Sequence, residues 1–217
     1  MSIAVLCDFD DTISQENVAH LILDRFSDGS WRELRRRYLE GALPSHEYFE
    51  RPFTRIQATR SDMQAYVREK GHIRDGFAEM ARYCRQRGIE LAVITLGLDF
   101  YVQALLEQQG LEWLPVYAVG TRFTEDGIQF DFPYGSKECP SWGICKCSVV
   151  ERYRQKGHRV IYIGDGRNDL CPSRRSDIVF ARGELLELCR QEGLACRDLR
   201  AFADVIAELE RNQEVVP

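Results

Sequence analysis

Residues 3–12 read Ile3-Ala4-Val5-Leu6-Cys7-Asp8-Phe9-Asp10-Asp11-Thr12, an unbroken apolar run that stops at a cluster of acids. A strand buried on both faces has this form, because neither side of the pleat meets water, and its polar end marks where the chain leaves the sheet. The pattern recurs. Leu91-Ala92-Val93-Ile94 ends in Thr95-Leu96-Gly97, Val160-Ile161-Tyr162-Ile163 ends in Gly164-Asp165-Gly166, and Ile178-Val179-Phe180 adds one more. Residues 116–119 form a further strand candidate, and residues 122–132 alternate around Asp126-Gly127, a hairpin signal.

Helical periods fill the gaps between these runs. Residues 76–87, with Phe77, Met80, Ala81 and Cys84 on one side, predict a helix, as do residues 100–109, 148–156, 184–192 and 202–211. Strands that alternate with helices and are themselves continuously apolar predict an α/β fold: a Rossmann-like, open parallel sheet with helices on both faces. The stretch after the first strand is too long for a simple crossover. Val18, Leu21, Ile22 and Phe26 share one helical face, and residues 31–39, 46–56 and 61–67 are shorter helical candidates broken by Gly41, Pro44 and Pro52. We read residues 14–74 as a small helical cap inserted after the first strand, with residues 1–13 and 75–217 forming the core.

At 217 residues the chain is long enough to bury a core without covalent staples. Its 44% hydrophobic and 29% charged residues match a globular protein, and a net charge of −5 leaves no footprint for nucleic acid or for a polybasic membrane patch. No apolar run approaches membrane-spanning length, and the amino terminus meets acids by Asp8 without a basic flank. These features predict a cytoplasmic protein. The eight cysteines therefore read as thiols: Cys7 and Cys84 as small buried hydrophobes, with Cys171, Cys189 and Cys196 similar.

In parallel α/β sheets, ligands bind beyond the carboxyl ends of the strands. Here those ends carry Asp8 and Asp10, Thr95, and Asp165 with Asp169 one helical step on, while Lys146 precedes a helix. Carboxylates gathered from distant parts of the chain repel one another unless a cation lies among them, and all-oxygen ligands favour Mg2+. A lysine and a hydroxyl beside that ion suit the oxygens of a transferring phosphoryl group. One carboxylate can then act as nucleophile, forming an aspartyl-phosphate, and a second can protonate the leaving alkoxide and activate water.

Asp8-Phe9-Asp10-Asp11-Thr12, Thr95-Leu96-Gly97, Lys146 and Gly164-Asp165-Gly166-Arg167-Asn168-Asp169 together resemble the four ordered motifs of the haloacid dehalogenase (HAD) superfamily. The resemblance implies an HAD-like fold and a HAD-type phosphatase with Asp8 as nucleophile and Asp10 as general acid/base. It implies Thr95, the Leu96 amide, Lys146 and Asn168 around the phosphate. Mg2+ would be held by Asp8, the Asp10 carbonyl and Asp165, supported by Asp169. The insertion is similar to the cap of the phosphoserine-phosphatase-like branch, which implies a small phosphomonoester as partner. Within that branch Thr95-Leu96-Gly97-Leu98-Asp99-Phe100, Cys145-Lys146 and Phe180-Ala181-Arg182 resemble the methionine-salvage phosphatases, implying 2-hydroxy-3-keto-5-methylthiopentenyl-1-phosphate as substrate. Phosphoserine, phosphocholine and phosphoethanolamine are the alternatives. Phosphoserine ranks lower because the position of its ammonium-binding glutamate is Asn17, with Glu16 beside it. Arg51 falls near the carboxylate-binding cap arginine of phosphoserine phosphatases.

Some signals stay open at this level. Cys139, Cys145 and Cys147 have three thiols but neither a fourth ligand nor paired zinc-site spacing, so packed thiols around Lys146 are the expectation, against zinc or a disulfide; the lysine favours reactivity of Cys145 or Cys147. His20, His46, His72 and His158 have no metal-like spacing. Trp31, Tyr38, Tyr48, Phe49 and Phe53 populate the cap, mostly as its core, with one or two facing the substrate. A receiver-like signalling domain shares part of the acid, threonine and lysine set, but receivers are uninterrupted after their first strand. Transfer of the phosphoryl group to a second substrate, and a homodimer, are compatible with the sequence.

Overall fold

The opening apolar run becomes β1 (Ile3–Cys7), buried along almost its whole length. The structure, a computed structural model, describes residues 2–125, 127–136, 139 and 143–213, apart from the side chains of residues 45, 46, 49 and 213. Asp126 and the side chains of His46 and Phe49 therefore lie outside the described residues.

From β1 the chain passes through a tight turn into α1 (Val18–Phe26), α2 (Trp31–Leu39), α3 (Ser45–Phe53) and α4 (Arg60–Lys70), then through α5 (Phe77–Gln86) into β2 (Glu90–Leu98). There follow α6 (Asp99–Gln108), β3 (Val116–Thr124), β4 (Gly127–Asp131), α7 (Lys146–Gln155), β5 (Arg159–Gly164), the one-turn α8 (Leu170–Ser173), β6 (Ile178–Ala181), α9 (Gly183–Glu192), the short β7 (Arg197–Asp198) and α10 (Phe202–Gln213). The seven strands form one sheet in the order β4-β3-β2-β1-β5-β6-β7. All neighbours are parallel except the β3–β4 hairpin.

This order sets the position of the site. The chain builds outward from β1 to β2 and β3, then crosses to the other side of β1 to lay down β5. That reversal leaves a crevice beyond the carboxyl ends of β1 and β5. Alternate residues of the central strands feed two apolar layers. Val5, Cys7, Val93 and Ile161 face α5, α6 and α10, while Leu6, Ile94 and Tyr162 face α7.

The helical insertion is seated on the core by α4. Met63 and Val67 join the same apolar cluster as Phe100 and Leu105 of α6. Gln64 Nε2 donates to the Phe100 carbonyl at 2.8 Å, and Arg68 pairs with Glu107 at 2.9 Å. The two connections between insertion and sheet run side by side, with Ser14 and Ile73 paired as an antiparallel bridge. Arg74 fixes this junction by donating to the carbonyls of Asp11, Thr12 and Ser14.

Several boundaries differ from the sequence reading. β3 is one continuous strand where two segments were expected, and β2 continues through Thr95-Leu96-Gly97 to Leu98. Its register with β3 shifts between Ile94 and Leu98, so the motif lies in an irregular part of the strand. α7 starts at Lys146, two residues earlier than expected. Pro52 lies inside the last turn of α3 instead of breaking it. Among the described residues no helix is long and apolar enough to cross a membrane.

Candidate active site

Asp8 follows β1 directly, and its amide donates to the Ile163 carbonyl of β5 at 2.9 Å, so the β1–β5 ladder itself positions this carboxyl. Its side chain is buried. Asp8 Oδ1 accepts from Lys146 Nζ at 2.5 Å, and the same ammonium donates to Asp169 Oδ1 at 2.6 Å. Lys146 is only 3% exposed. Asp169 is held on all sides: Tyr162 donates to Oδ1 at 2.7 Å, and the amides of Asp165 and Gly166 each donate to Oδ2 at 3.0 Å. Gly164 makes room for this packing, since a Cβ there would lie 2.5 Å from Asp169 Cγ.

One oxygen each of Asp8, Asp165 and Asp169 lie within 4.8 Å of one another. Thr12 donates to Asp165 Oδ1 at 2.7 Å. Three carboxylates against one ammonium leave two negative charges uncompensated, which a divalent cation would neutralise. Burial pushes the Asp8 carboxyl well above the usual range despite the pull of Lys146. Burial, then Asp169, pushes Asp165 up to about 6. For Lys146, burial acts to lower its proton affinity, but Asp169 and Asp8 more than reverse that and keep it charged. The donor set fits Mg2+: hard carboxylate oxygens, with Asp8 and Asp165 each offering an oxygen not taken by Lys146 or Thr12.

Asp10 turns its carboxylate to a different set of partners. Oδ1 accepts from the Val18 amide at the start of α1 at 2.7 Å, and Oδ2 accepts from the Tyr101 hydroxyl of α6 at 2.7 Å. Burial pushes its carboxyl up to about 6, while these two bonds pull it down. Asp11 next to it has φ 63°, a left-handed turn that a short polar side chain tolerates. Thr95 is buried, and its Oγ1 accepts from the Gly97 amide at 2.9 Å, leaving its own proton free to be donated.

These groups line one cavity of about 800 Å³. Asp8, Asp10, Thr95, Leu96, Lys146, Asp165, Asn168 and Asp169 all border it, so the structure brings together every core residue singled out from sequence. Arg51 is not among its lining residues. It lies on the exposed side of α3 in an ion pair with Glu47. The arginine of the helical insertion that borders the cavity is Arg35 of α2, whose charge acts on Tyr48 and His20.

Tyr38 and Tyr48 stack with centroids 4.9 Å apart, and with Leu23 and Phe53 they make an apolar wall. His20 donates or accepts at the Tyr48 hydroxyl, 3.1 Å away, and stacks on buried Trp31. Burial, then Arg35, pulls His20 down to about 4. Asn17 caps α1 and donates to Asp11 Oδ2 at 3.1 Å, while Glu16 is drawn to His72. Neither position supplies a carboxylate for an ammonium group.

All eight cysteines are free. Among the described residues, Cys139, Cys145 and Cys147 do not form a metal-ligating group. Burial pushes the Cys147 thiol up, which corrects the expectation of reactivity at that position: the neighbouring ammonium is already committed to Asp8 and Asp169. Cys171 is exposed, contrary to its reading as a buried hydrophobe. Sequence reasoning missed Tyr101, Tyr162, Arg74 and Arg35. Tyr162 and Tyr101 read as ordinary apolar residues of a strand and a helix, and only the third dimension reveals where their hydroxyls point.

The model of the haloacid dehalogenase-like hydrolase family matches residues 5–172. The chain is 32% identical to a 2-hydroxy-3-keto-5-methylthiopentenyl-1-phosphate phosphatase of Bacillus mycoides, over 99% of both chains. It is 30% identical to the phosphatase of the same name from Brevibacillus brevis, over 99% of this chain and 98% of the relative. Among solved structures it is similar to a substrate-bound phosphoserine phosphatase, with a TM-score of 0.71 at 16% identity, covering 96% of this chain and 98% of that one.

Proposed function

The chain belongs to the haloacid dehalogenase-like hydrolase family and is a phosphatase, and from that premise we propose that it hydrolyses 2-hydroxy-3-keto-5-methylthiopentenyl-1-phosphate or a close analogue, with Mg2+ as cofactor. The observation that carries this reading is the single cavity that has Asp8, Lys146 and Asp169 on its floor and the Tyr38–Tyr48 wall above. A phosphoryl group fits the charged floor, and a methylthio tail fits the aromatic wall. We assign residues 14–74 as the cap and the remainder as the catalytic core, the two joined where Ser14 pairs with Ile73.

Asp8 is the nucleophile. One of its carboxylate oxygens attacks phosphorus, the Oδ–P bond forms, and the bond from phosphorus to the leaving oxygen breaks. Asp10 gives its proton to that oxygen. In the second half Asp10 takes a proton from water, the water oxygen attacks phosphorus, and the Asp8 carboxylate is regenerated. Lys146, the Thr95 hydroxyl, the Leu96 amide and Asn168 donate to the phosphoryl oxygens, where negative charge collects. Asp8, the Asp10 carbonyl and Asp165, with Asp169 in support, would hold Mg2+, which when bound would supply electrostatic stabilisation of that charge. Lys146 also holds Asp8 in place, because its ammonium is shared with Asp169 and cannot swing away.

The test is phosphate release from a panel of small phosphomonoesters, with Mg2+ and with EDTA. The panel contains the methylthio enol-phosphate, phosphoserine, phosphocholine, phosphoethanolamine and sugar phosphates. Metal-dependent turnover that strongly favours the enol-phosphate is expected. Preference for phosphoserine or a choline ester would replace the substrate and keep the chemistry, whereas no release from folded, metal-loaded protein would overturn both.

A further inference from the structure

We propose that Tyr101 is a positioning residue for proton transfer: its hydroxyl clamps Asp10 in the orientation from which Asp10 serves the leaving oxygen. The proposal rests on the reading of Asp10 as general acid/base and goes beyond it.

Tyr101 lies in the first turn of α6, just after β2 delivers Thr95 and Gly97. Its ring is fully buried, tilted against Phe9 at 6.3 Å and edge-on to Phe100 at 5.6 Å. The hydroxyl is thereby delivered to one place, 2.7 Å from Asp10 Oδ2. The opposite oxygen is held at 2.7 Å by the Val18 amide. Two donors on two oxygens, from elements far apart in sequence, fix the plane of the carboxyl group.

Gly97 is shaped to this contact. A Cβ at that position would overlap Tyr101 Oη and lie 2.8 Å from Asp10 Oδ2, so the close approach of hydroxyl and carboxylate requires glycine there. A buried tyrosine that served only as packing would need no such space at its polar end. Asp10 and Tyr101 both border the cavity, so the clamped carboxyl is held at the edge of the space a substrate would fill.

When the P–O bond breaks, the proton leaves Asp10 for the departing oxygen. The carboxylate charge that forms on Asp10 is met by the Tyr101 hydroxyl, which keeps its own proton. A hydrogen bond to an ionised group is stronger than one to its neutral form, so the contact tightens as the transfer proceeds. In the water step the sequence runs in reverse.

A defect in proton delivery has a signature that a packing defect lacks. A poor leaving group such as an alkoxide needs the proton, and a good one such as p-nitrophenolate does not. The experiment compares kcat/KM for an alkyl phosphate and for p-nitrophenyl phosphate in wild type, Tyr101→Phe and Asp10→Asn, with thermal melting and inhibition by inorganic phosphate as controls on fold and phosphoryl pocket. Tyr101→Phe is expected to lose about tenfold on the alkyl ester and less than about twofold on the aryl ester, with Asp10→Asn showing a larger loss of the same selectivity. Equal losses on both esters, or none, in Tyr101→Phe while Asp10→Asn stays selective would overturn the clamp alone. Equal losses in Asp10→Asn would remove the acid assignment beneath it. Should the phenylalanine variant not fold, 3-fluorotyrosine at position 101 keeps the shape and changes the donor strength: a shifted alkyl-to-aryl ratio supports the proposal, and an unchanged ratio overturns it.

Discussion

Lys146 Nζ lies between Asp8 Oδ1 and Asp169 Oδ1, 2.5 Å from the first and 2.6 Å from the second, at the amino end of α7. A cation there opposes the helix dipole, which favours negative charge at that end. It is also buried. Local electrostatics is therefore sacrificed to place one ammonium between two carboxylates that would otherwise repel. Residues that break a local rule in this way mark sites whose geometry serves function.

Removing this ammonium should be costly in both stability and rate. Lys146→Met leaves Asp8 and Asp169 buried without their shared partner, a kind of change that costs about 3–5 kcal/mol. Phosphate release should fall by at least about a hundredfold, the size of effect typical of a lost electrostatic donor. Urea unfolding and a phosphate assay on the same preparation measure both. A stable variant with near wild-type turnover would contradict the arrangement.

Asp8→Asn should separate chemistry from fold. The amide keeps the shape of the carboxylate but cannot form the acyl phosphate, so turnover should be lost. Because burial pushes the Asp8 carboxyl upward, its charged form destabilises the metal-free site, and a neutral side chain should leave the melting temperature equal or higher. Residual turnover above about one-thousandth of wild type would count against Asp8 as nucleophile.

The pH dependence has a definite sign. Asp165 titrates at about 6 in the folded, metal-free protein, above the unfolded value of about 3.9. The folded state therefore holds the proton more tightly, and the contribution of this group to stability falls as pH rises from about 4 through about 6. In EDTA, Asp165→Asn should melt higher than wild type at pH 7.5, and the difference should vanish near pH 4. Saturating Mg2+ should reverse the order at pH 7.5, since the wild-type carboxylate then has its counter-charge. A difference in EDTA that grows as pH falls would show the sign to be wrong.

Much of the fold and the floor of the site was legible from sequence, for a physical reason. Continuous apolar runs identify doubly covered strands, and their polar ends lie where the topology opens a crevice, so Asp8, Thr95 and Asp165 could be placed together from the chain alone. The roof was not legible. Arg35 and Arg51 both lie on polar, charge-rich helices, and nothing in their periodicity distinguishes a guanidinium at the cavity from one facing solvent. Tyr101 was hidden for the opposite reason: its ring satisfies the apolar pattern of α6, and its hydroxyl meets Asp10 only after the strand and helix fold back.

Arg35 and Arg51 provide the clearest test of the cap. Arg35 borders the cavity, and its charge acts on Tyr48 and depresses the proton affinity of His20, while no acid among the described residues forms an ion pair with it. Its charge is thus available to the oxygens of a substrate whose phosphate sits on the floor. Arg51 is 53% exposed and spends its charge on Glu47 one turn away. Replacing Arg35 by Met keeps a flexible side chain of similar length and removes the guanidinium, so KM for the enol-phosphate should rise about tenfold, in line with the loss of a charged hydrogen bond. Arg51→Ala should change KM by less than about twofold, as expected for a surface ion pair. Steady-state kinetics on the two variants decides between them, because the effects are opposite in order if the carboxylate-binding arginine of the phosphoserine phosphatases has its counterpart at position 51. A large KM change in Arg51→Ala with a silent Arg35→Met would mean that the cap closes differently over substrate, bringing α3 and not α2 to the cavity.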